Sequence, residues 1–463
     1  MFLDKKLILT IFFGILIAEA ISLFGHFWPA FNVVGFVLVV TLAAYLSWKK
    51  IELGLLVALA EIFVGSYGHL FVLGGMSIRM AIFIIVFLAW LFKMLINKKK
   101  LWPKNNIIYF YLLLAVFVLL GLIIGLSKNL SGNVYLDINA WAYFILILVF
   151  LSLDDVYAFL NQATNVLLGA ASFLILQTLI LFFTFSSGLN YLGDNIYVWF
   201  RDARIGEITY IGDNLFRIFI QSQIYLLIAI LFFLTFLILN WSKLSQKVKF
   251  GLVVFLYFAS LAIIISQSRS FWVGLVVALL ALAIFLIWQK LIRFKILLLL
   301  IVILGIAIYS QLILLQLVSS SNILANRSNN LEKQSANISR INQLQPLFSN
   351  ISTSPLIGHG FGKQLTYESQ DPRVLEKYPD GLYTTFAFEW GYFDVALKIG
   401  LLGLLVYLLL IGKIFSNTIK QIEKRPEVIG LLAGLIALAV TNIFSPYLNH
   451  PLGITYILLI SLI

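Results

Sequence analysis

ASLAIIISQSRSFWVGLVVALL, residues 259 to 280, decides how the chain is read: two apolar runs flank a short polar break, and the break holds one charged side chain, Arg269. A bilayer-spanning helix takes about 20 mostly apolar residues, so the runs predict two spans joined by a tight turn. A charge in lipid is costly. An arginine at such a junction therefore either snorkels to the interface or serves a function.

The same pattern recurs along all 463 residues, which are 62% hydrophobic and 11% charged with a mean hydropathy of +1.02. Those values lie far above what a water-soluble core needs and mark an integral membrane protein. Apolar windows predict helices near 6–25, 29–48, 52–70, 79–97, 106–126, 133–152, 163–185, 216–240, 248–266, 271–289, 293–318, 387–414, 428–445 and 451–463. The expected fold is an all-α, polytopic transmembrane helix bundle of about fourteen helices, a single membrane domain over residues 1–463. Two long loops interrupt it, at 186–215 and 319–386, and the second should be partly helical. The first apolar run follows Lys5 and Lys6 without a convincing small-residue cleavage site, so it reads as a retained helix. The last, ITYILLISLI, stops while still apolar, which leaves a short final helix or a truncated one.

The formal net charge of +12 does not point to nucleic acid, because the basic residues cluster between apolar runs and do not interleave with aromatics on one surface. Lys49 and Lys50, NKKKLWPK at 97–104, SKLSQKVK at 242–249, QKLIRFK at 289–295 and KQIEKRPE at 420–427 all fall on one side of the expected topology. That side should be cytoplasmic, which puts both long loops and Arg269 outside. Cysteine is absent, so disulfides, thiolate metal sites and cysteine nucleophiles are excluded. No repeat with the period of a solenoid stands out.

The second long loop contains NISRINQLQPLFSNISTSPLIGHGFG, residues 337–362, too rich in apolar and turn residues for a tether. Leu344, Leu347 and Phe348 suit one face of a short helix bearing Arg340, which Pro346 should kink or delay. The glycines of PLIGHGFG permit a tight turn.

SQSRSFWVGLVVALL resembles the SxSRxxW-type helix start of the O-antigen ligase and O-antigen polymerase superfamily. SRINQLQPLFSNISTSPLIGHGFG resembles its R-x(n)-PLxGxGxG loop, and FEWGYFDVALKIGLLG its post-loop helix ending in GxxG. NLFRIFIQSQIYLLIAILF is similar to an upstream helix that opens with an arginine. The resemblance spans residues 210–450 or so. It implies a membrane glycosyltransferase that moves a glycan from an undecaprenyl diphosphate carrier to a hydroxyl acceptor, a glycan or lipid, in lipopolysaccharide or surface-polysaccharide synthesis. The reaction would take place at the outer face of the bacterial cytoplasmic (inner) membrane. Where many ligases carry a histidine before the GxxG this chain has Glu389, and Leu344 stands near a place where an aromatic is common. The first departure favours polymerase over ligase.

Under that resemblance Arg269 and Arg340 clamp the diphosphate, since guanidinium forks pair with phosphate oxygens and stay charged at any cellular pH. Two preorganised arginines would stabilise the leaving group without a metal, and the sequence has no DxD, HxxxH or HExxH ligand pair. No cofactor is expected. Glu389 could accept the acceptor hydroxyl's proton, with His359 as the alternative base. Arg217, Arg201 and Arg204 are candidate substrate contacts.

Each has a plainer reading. Arg269 could snorkel, and Arg340 and Arg217 could pair with loop carboxylates or lipid phosphates. Glu389 could favour a helix start, His359 could bond only within its turn, and Arg201 and Arg204 could be solvated loop charges. Glu19 and Glu61 fall in apolar runs, where structural hydrogen bonds are the reading adopted; Asp394 and Lys398 are spaced for an i,i+4 ion pair. The rival function is a lipid-linked oligosaccharide flippase or other polysaccharide transporter, which would favour related halves and broken midplane helices.

Overall fold

The computed structural model describes residues 3–98, 105–187, 193–212, 214–319 and 338–463. Most of the basic 97–104 loop, part of the first long loop and residues 320–337 of the second lie outside the described residues. The apolar windows form helix over most of their length, and eleven helices among the described residues are long and apolar enough to cross a membrane. The chain is a multi-pass membrane protein. Ile51–Val64, Val428–Phe444 and Pro451–Ile460 are the shorter ones.

The polypeptide folds as two compact units. The first comprises Met1–Trp102, Leu148–Asn326 and Ile422–Ala437. Its longest helix, Val156–Ser186, starts where Asp155 accepts the Ala158 N–H at 2.9 Å. Gly169 on that helix leaves room for the Ile8 backbone of helix Lys5–Phe27. Helix Ile224–Asn240 is buried on nearly every face, as a helix apolar all round requires. Helix Phe294–Ser319 instead exposes Ile301, Val302, Ile306 and Leu317, a surface suited to lipid.

Arg79 and Glu61 pair inside this unit. Arg79 donates to Glu61 from Nε at 2.8 Å and Nη2 at 3.0 Å, and its Nη1 reaches the Ser66 carbonyl at 2.6 Å. Glu19 is buried and hydrogen-bonded by Gln177. Both glutamates thus take structural partners.

One expected helix begins later than its hydropathy suggests. Residues 215–220 form a strand, Leu215–Ile220, paired antiparallel with Gly206–Gly212, and helix starts only at Ile224. Gly212 at φ 129° and Asn214 at φ 58° turn the chain. LFRIFI then follows a strand's burial, and Gln223 Oε1 accepts the Ile220 N–H at 3.1 Å at the change to helix. Arg217 therefore stands on a strand and does not open a helix.

The second unit comprises Pro103–Ile147, Arg327–Gln421 and Leu438–Ile463. Helix Ile107–Lys128 packs along helix Gly391–Lys420. The expected span near 133–152 is broken into Ser131–Ile138, a 3-10 turn Trp141–Leu146 and Ile147–Phe150. In the long loop, helix Leu344–Thr353 and an antiparallel hairpin, Leu365–Glu368 with Leu382–Thr385, share a small core of Leu347, Ile351, Leu365, Phe388, Ala396 and Leu397. The helix buries Leu347 and Ile351, whereas Phe348 is exposed and lies edge-on to Phe393 at 4.7 Å. A helical turn over residues 338–342 carries Arg340, so the helix with Pro346 in its first turn starts after that arginine.

Helix Gly391–Lys420 is interrupted at Gly400, whose φ of 76° is not helical. A break inside a span strips partners from backbone N–H and C=O groups where no water can replace them. The PLIGHGFG segment supplies them. The His359 N–H donates to the Leu397 carbonyl at 2.7 Å and the Gly360 N–H to that of Lys398 at 3.0 Å, while the Leu401 N–H donates to the Pro355 carbonyl at 2.7 Å. Gly358, Gly360 and Gly362 all have positive φ. A Cβ on Gly360 would overlap the Gly125 backbone, and one on Gly400 the Leu356 carbonyl.

Candidate functional site

In the first unit the SQSRS turn is built by the end of helix Gln246–Ser266 and the start of helix Arg269–Trp288. Gln267 takes a left-handed conformation, φ 47°, and reverses the chain. Arg217 Nε donates to the Ser266 carbonyl at 2.8 Å, and its guanidinium lies 4.7 Å from the Phe219 ring centroid. Phe219 in turn meets buried Phe271 at 5.7 Å, and Trp272 Nε1 donates to the Ile263 carbonyl at 3.2 Å. The strand and both helix ends thus hold the turn.

Arg269 occupies the first position of its helix, is exposed, and makes no ion pair among the described residues. The helix dipole opposes a cation there and favours an anion. Its position has no intrahelical electrostatic rationale, but it suits an anionic ligand. Arg217 has Glu207 at 4.0 Å, the plainer pairing expected for it.

In the second unit Arg340 and Glu389 form an ion pair, both half-exposed. The pair is framed on each side. Trp390 Nε1 donates to the Arg340 carbonyl at 2.8 Å, and the Glu389 N–H donates to Gln343 Oε1 at 3.2 Å. Gln343 is buried and also hydrogen-bonds the Tyr367 hydroxyl; burial raises the pKa of that phenol, so it stays neutral and available as a hydrogen-bonding group.

The His359 ring reaches back from its turn to the end of helix Leu344–Thr353: Nε2 lies 2.8 Å from the Asn350 carbonyl and 3.0 Å from Thr353 Oγ1. Arg201 pairs with its neighbour Asp202 at 2.9 Å on an exposed surface of helix Gly193–Asp202. Arg204 is exposed in the following turn, φ 50°. Of the seven residues singled out, the structure joins Arg340 to Glu389 and sets Arg217 against the turn that carries Arg269.

Residues 252–408 match the family of O-antigen ligases. Over this segment the chain is similar to the O-antigen ligase family. The match covers about a third of the sequence and includes Arg269, Arg340, His359 and Glu389; Arg201, Arg204 and Arg217 precede it. No curated protein matches the chain. The matched segment is similar to that of a membrane glycosyltransferase family and contains the SQSRS turn, Arg340 and Glu389.

Asp394 and Lys398 of the same segment belong to a buried charge cluster that the sequence disclosed only in part. Lys398 Nζ lies 2.6 Å from Asp137 Oδ1 and 2.7 Å from Asp394 Oδ1, and Asn449 Nδ2 donates to Asp394 Oδ2 at 2.5 Å. Asp137 Oδ2 also accepts the Gly362 N–H at 2.8 Å. Asp394 and Lys398 form the expected i,i+4 pair, while Asp137 and Asn449 went unnoticed. Asp137 could have been found by the signal that picked out Glu19 and Glu61, a carboxylate within an apolar run.

Proposed function

We propose that the protein transfers a glycan from a polyprenyl diphosphate carrier to a hydroxyl acceptor at the outer face of the bacterial cytoplasmic membrane. The observation that carries this reading is the Arg340–Glu389 pair, an anion receptor and a proton acceptor held side by side in the family's loop. Without substrate the two neutralise each other. A diphosphate competes for the guanidinium fork, because phosphate oxygens accept the same paired N–H donors as a carboxylate. Its arrival frees Glu389.

The acceptor oxygen then attacks the anomeric carbon of the donor sugar. The bond from that carbon to the phosphate oxygen breaks, its electron pair leaves with the polyprenyl diphosphate, and the hydroxyl proton passes to Glu389. Arg340 meets the charge that grows on the leaving oxygens, an electrostatic role that requires no metal, and Arg269, exposed at its helix start, is a further candidate contact to an anionic substrate group. Arg217 supports the Arg269 turn through Ser266, and Arg201 and Arg204 are candidate contacts to the glycan. His359, with its ring already engaged, is the weaker base. A carboxylate at the histidine position favours polymerisation over ligation.

The test is transfer from a polyprenyl diphosphate-linked glycan by purified protein. Glu389→Gln should lower kcat by about 10²–10⁴, the usual contribution of general-base catalysis. Arg340→Lys, which keeps the charge but loses the fork, should cost at least about tenfold, and EDTA should change nothing. Wild-type rates in both variants would sink the assignment. Loss in EDTA that divalent ions restore would overturn the metal-free mechanism.

A further inference from the structure

Beyond the ion pair, the long loop presents aromatic rings in a row. Tyr367 and Tyr383 are direct cross-strand partners on the inner face of the hairpin, their ring centroids 5.9 Å apart. Tyr378, in the segment between the strands, continues the row at 6.2 Å from Tyr383. The inner end is tied to the pair by Gln343, which hydrogen-bonds Tyr367 and accepts the Glu389 N–H. The outer end is open: Tyr378 is 48% exposed, whereas Leu365 on the same hairpin, a member of the local core, is 6% exposed. The rings therefore lead from the site to solvent and are not simply the hairpin's own core.

We propose that this hairpin is a saccharide-binding platform that holds the acceptor as a glycan chain, laid over Tyr378 and Tyr383 with its terminal hydroxyl directed to Glu389. The idea rests on the transferase reading and names its acceptor. A pyranose offers a face of C–H groups and a rim of hydroxyls. Tyrosine matches it with a rigid apolar ring and a polar tip, at low cost in side-chain entropy. The phenol hydroxyls beside the rings can receive part of the rim, while Thr366 and Thr384, bonded to each other at 2.7 Å, lie on the opposite face of the hairpin.

Charge argues against an anionic lipid surface as the occupant. From Lys363 to Thr385 three cations, Lys363, Arg373 and Lys377, face four carboxylates, Glu368, Asp371, Glu376 and Asp380. A chain of net charge +12 is thus locally balanced here, whereas headgroup docking calls for a polybasic cluster.

The probe is the surface polysaccharide released by mild acid from the cells that make the protein, fractionated to short chains, with binding to the full chain in detergent measured by calorimetry. Wild type should bind; Tyr378→Ala, an exposed position where folding is safe, should weaken binding about tenfold, the loss typical of an aromatic anchor. Tyr378→Phe should retain it, because the ring and not the hydroxyl carries the stacking. In transfer assays Tyr378→Ala should raise the acceptor KM and leave the donor KM alone. Absence of binding by wild type, or equal binding by Tyr378→Ala and Tyr383→Ala, overturns the platform. Binding and transfer fail separately: a chain that binds through its tyrosines yet never transfers keeps the platform and loses the transferase reading.

Discussion

Replacing Lys398 with methionine removes the one cation between two buried carboxylates. Its side chain is 3% exposed, with Asp137 Oδ1 at 2.6 Å and Asp394 Oδ1 at 2.7 Å, so no water can take its place. Breaking a buried pair by deleting one partner costs about 3–5 kcal/mol, because the other charge is stranded. Here two are stranded, so the upper end of that range is expected, a fall in melting midpoint on the order of 10 °C. Asp137→Asn acts differently. It keeps the Lys398–Asp394 pair and an acceptor for the Gly362 N–H, and it should cost about 1.5–3 kcal/mol, the worth of one hydrogen bond to a charged group. Lys398→Met with both aspartates changed to asparagine should recover most of the loss. Thermal unfolding in detergent, followed by tryptophan fluorescence, reads all three. A Lys398→Met protein that melts within a few degrees of wild type would refute the buried cluster. A triple variant no better than the single would show that packing, and not stranded charge, set the loss.

Gly360→Ala should destabilise the protein or abolish its expression, because the new methyl meets the Gly125 backbone at a positive φ; a normal melting curve would count against the docked loop. Arg269→Lys should insert and express normally but transfer poorly, and wild-type activity would reduce Arg269 to a snorkelling residue. With no native cysteine, topology can be read cleanly: a cysteine at Lys424 should resist an impermeant thiol reagent in intact cells and one at Glu376 should react, and the opposite pattern reverses the orientation.

The helices were legible because lipid imposes a simple rule, about 20 apolar residues per span, and most windows obeyed it. What the rule cannot resolve is conformation inside an apolar run. LFRIFIQSQIYLL reads as one hydrophobic stretch, yet its first part is strand; a short apolar run carries no period that separates the two. Gly400 is set in IGLLGLL, and nothing local announces that the helix is interrupted there. The site was half legible. Arg340 and Glu389 each stood out from its own motif, but their pairing joins residues 49 apart in sequence and is fixed by tertiary structure. Asp137 was hidden inside an expected continuous helix that the structure breaks.

The loop and the post-loop helix are tied at two points, and the ties explain why the motifs are spaced as they are. At one, Arg340 meets Glu389 and Trp390; at the other, Pro355 to Gly360 fill the break at Gly400. Between them helix Leu344–Thr353 runs alongside the start of helix Gly391–Lys420 in the same direction, with Phe348 on Phe393 and Leu347 in the core with Ala396 and Leu397. Both ties must hold at once, so an insertion in either segment would pull Arg340 off Glu389 or PLIGHGFG out of the break. The glycine-rich segment is thus an anchor for the arginine and not a phosphate cradle: its N–H groups are spent on helix carbonyls and on Asp137. A lesion at Gly360 or Gly400 should therefore reach chemistry through the position of Arg340, although neither glycine touches substrate.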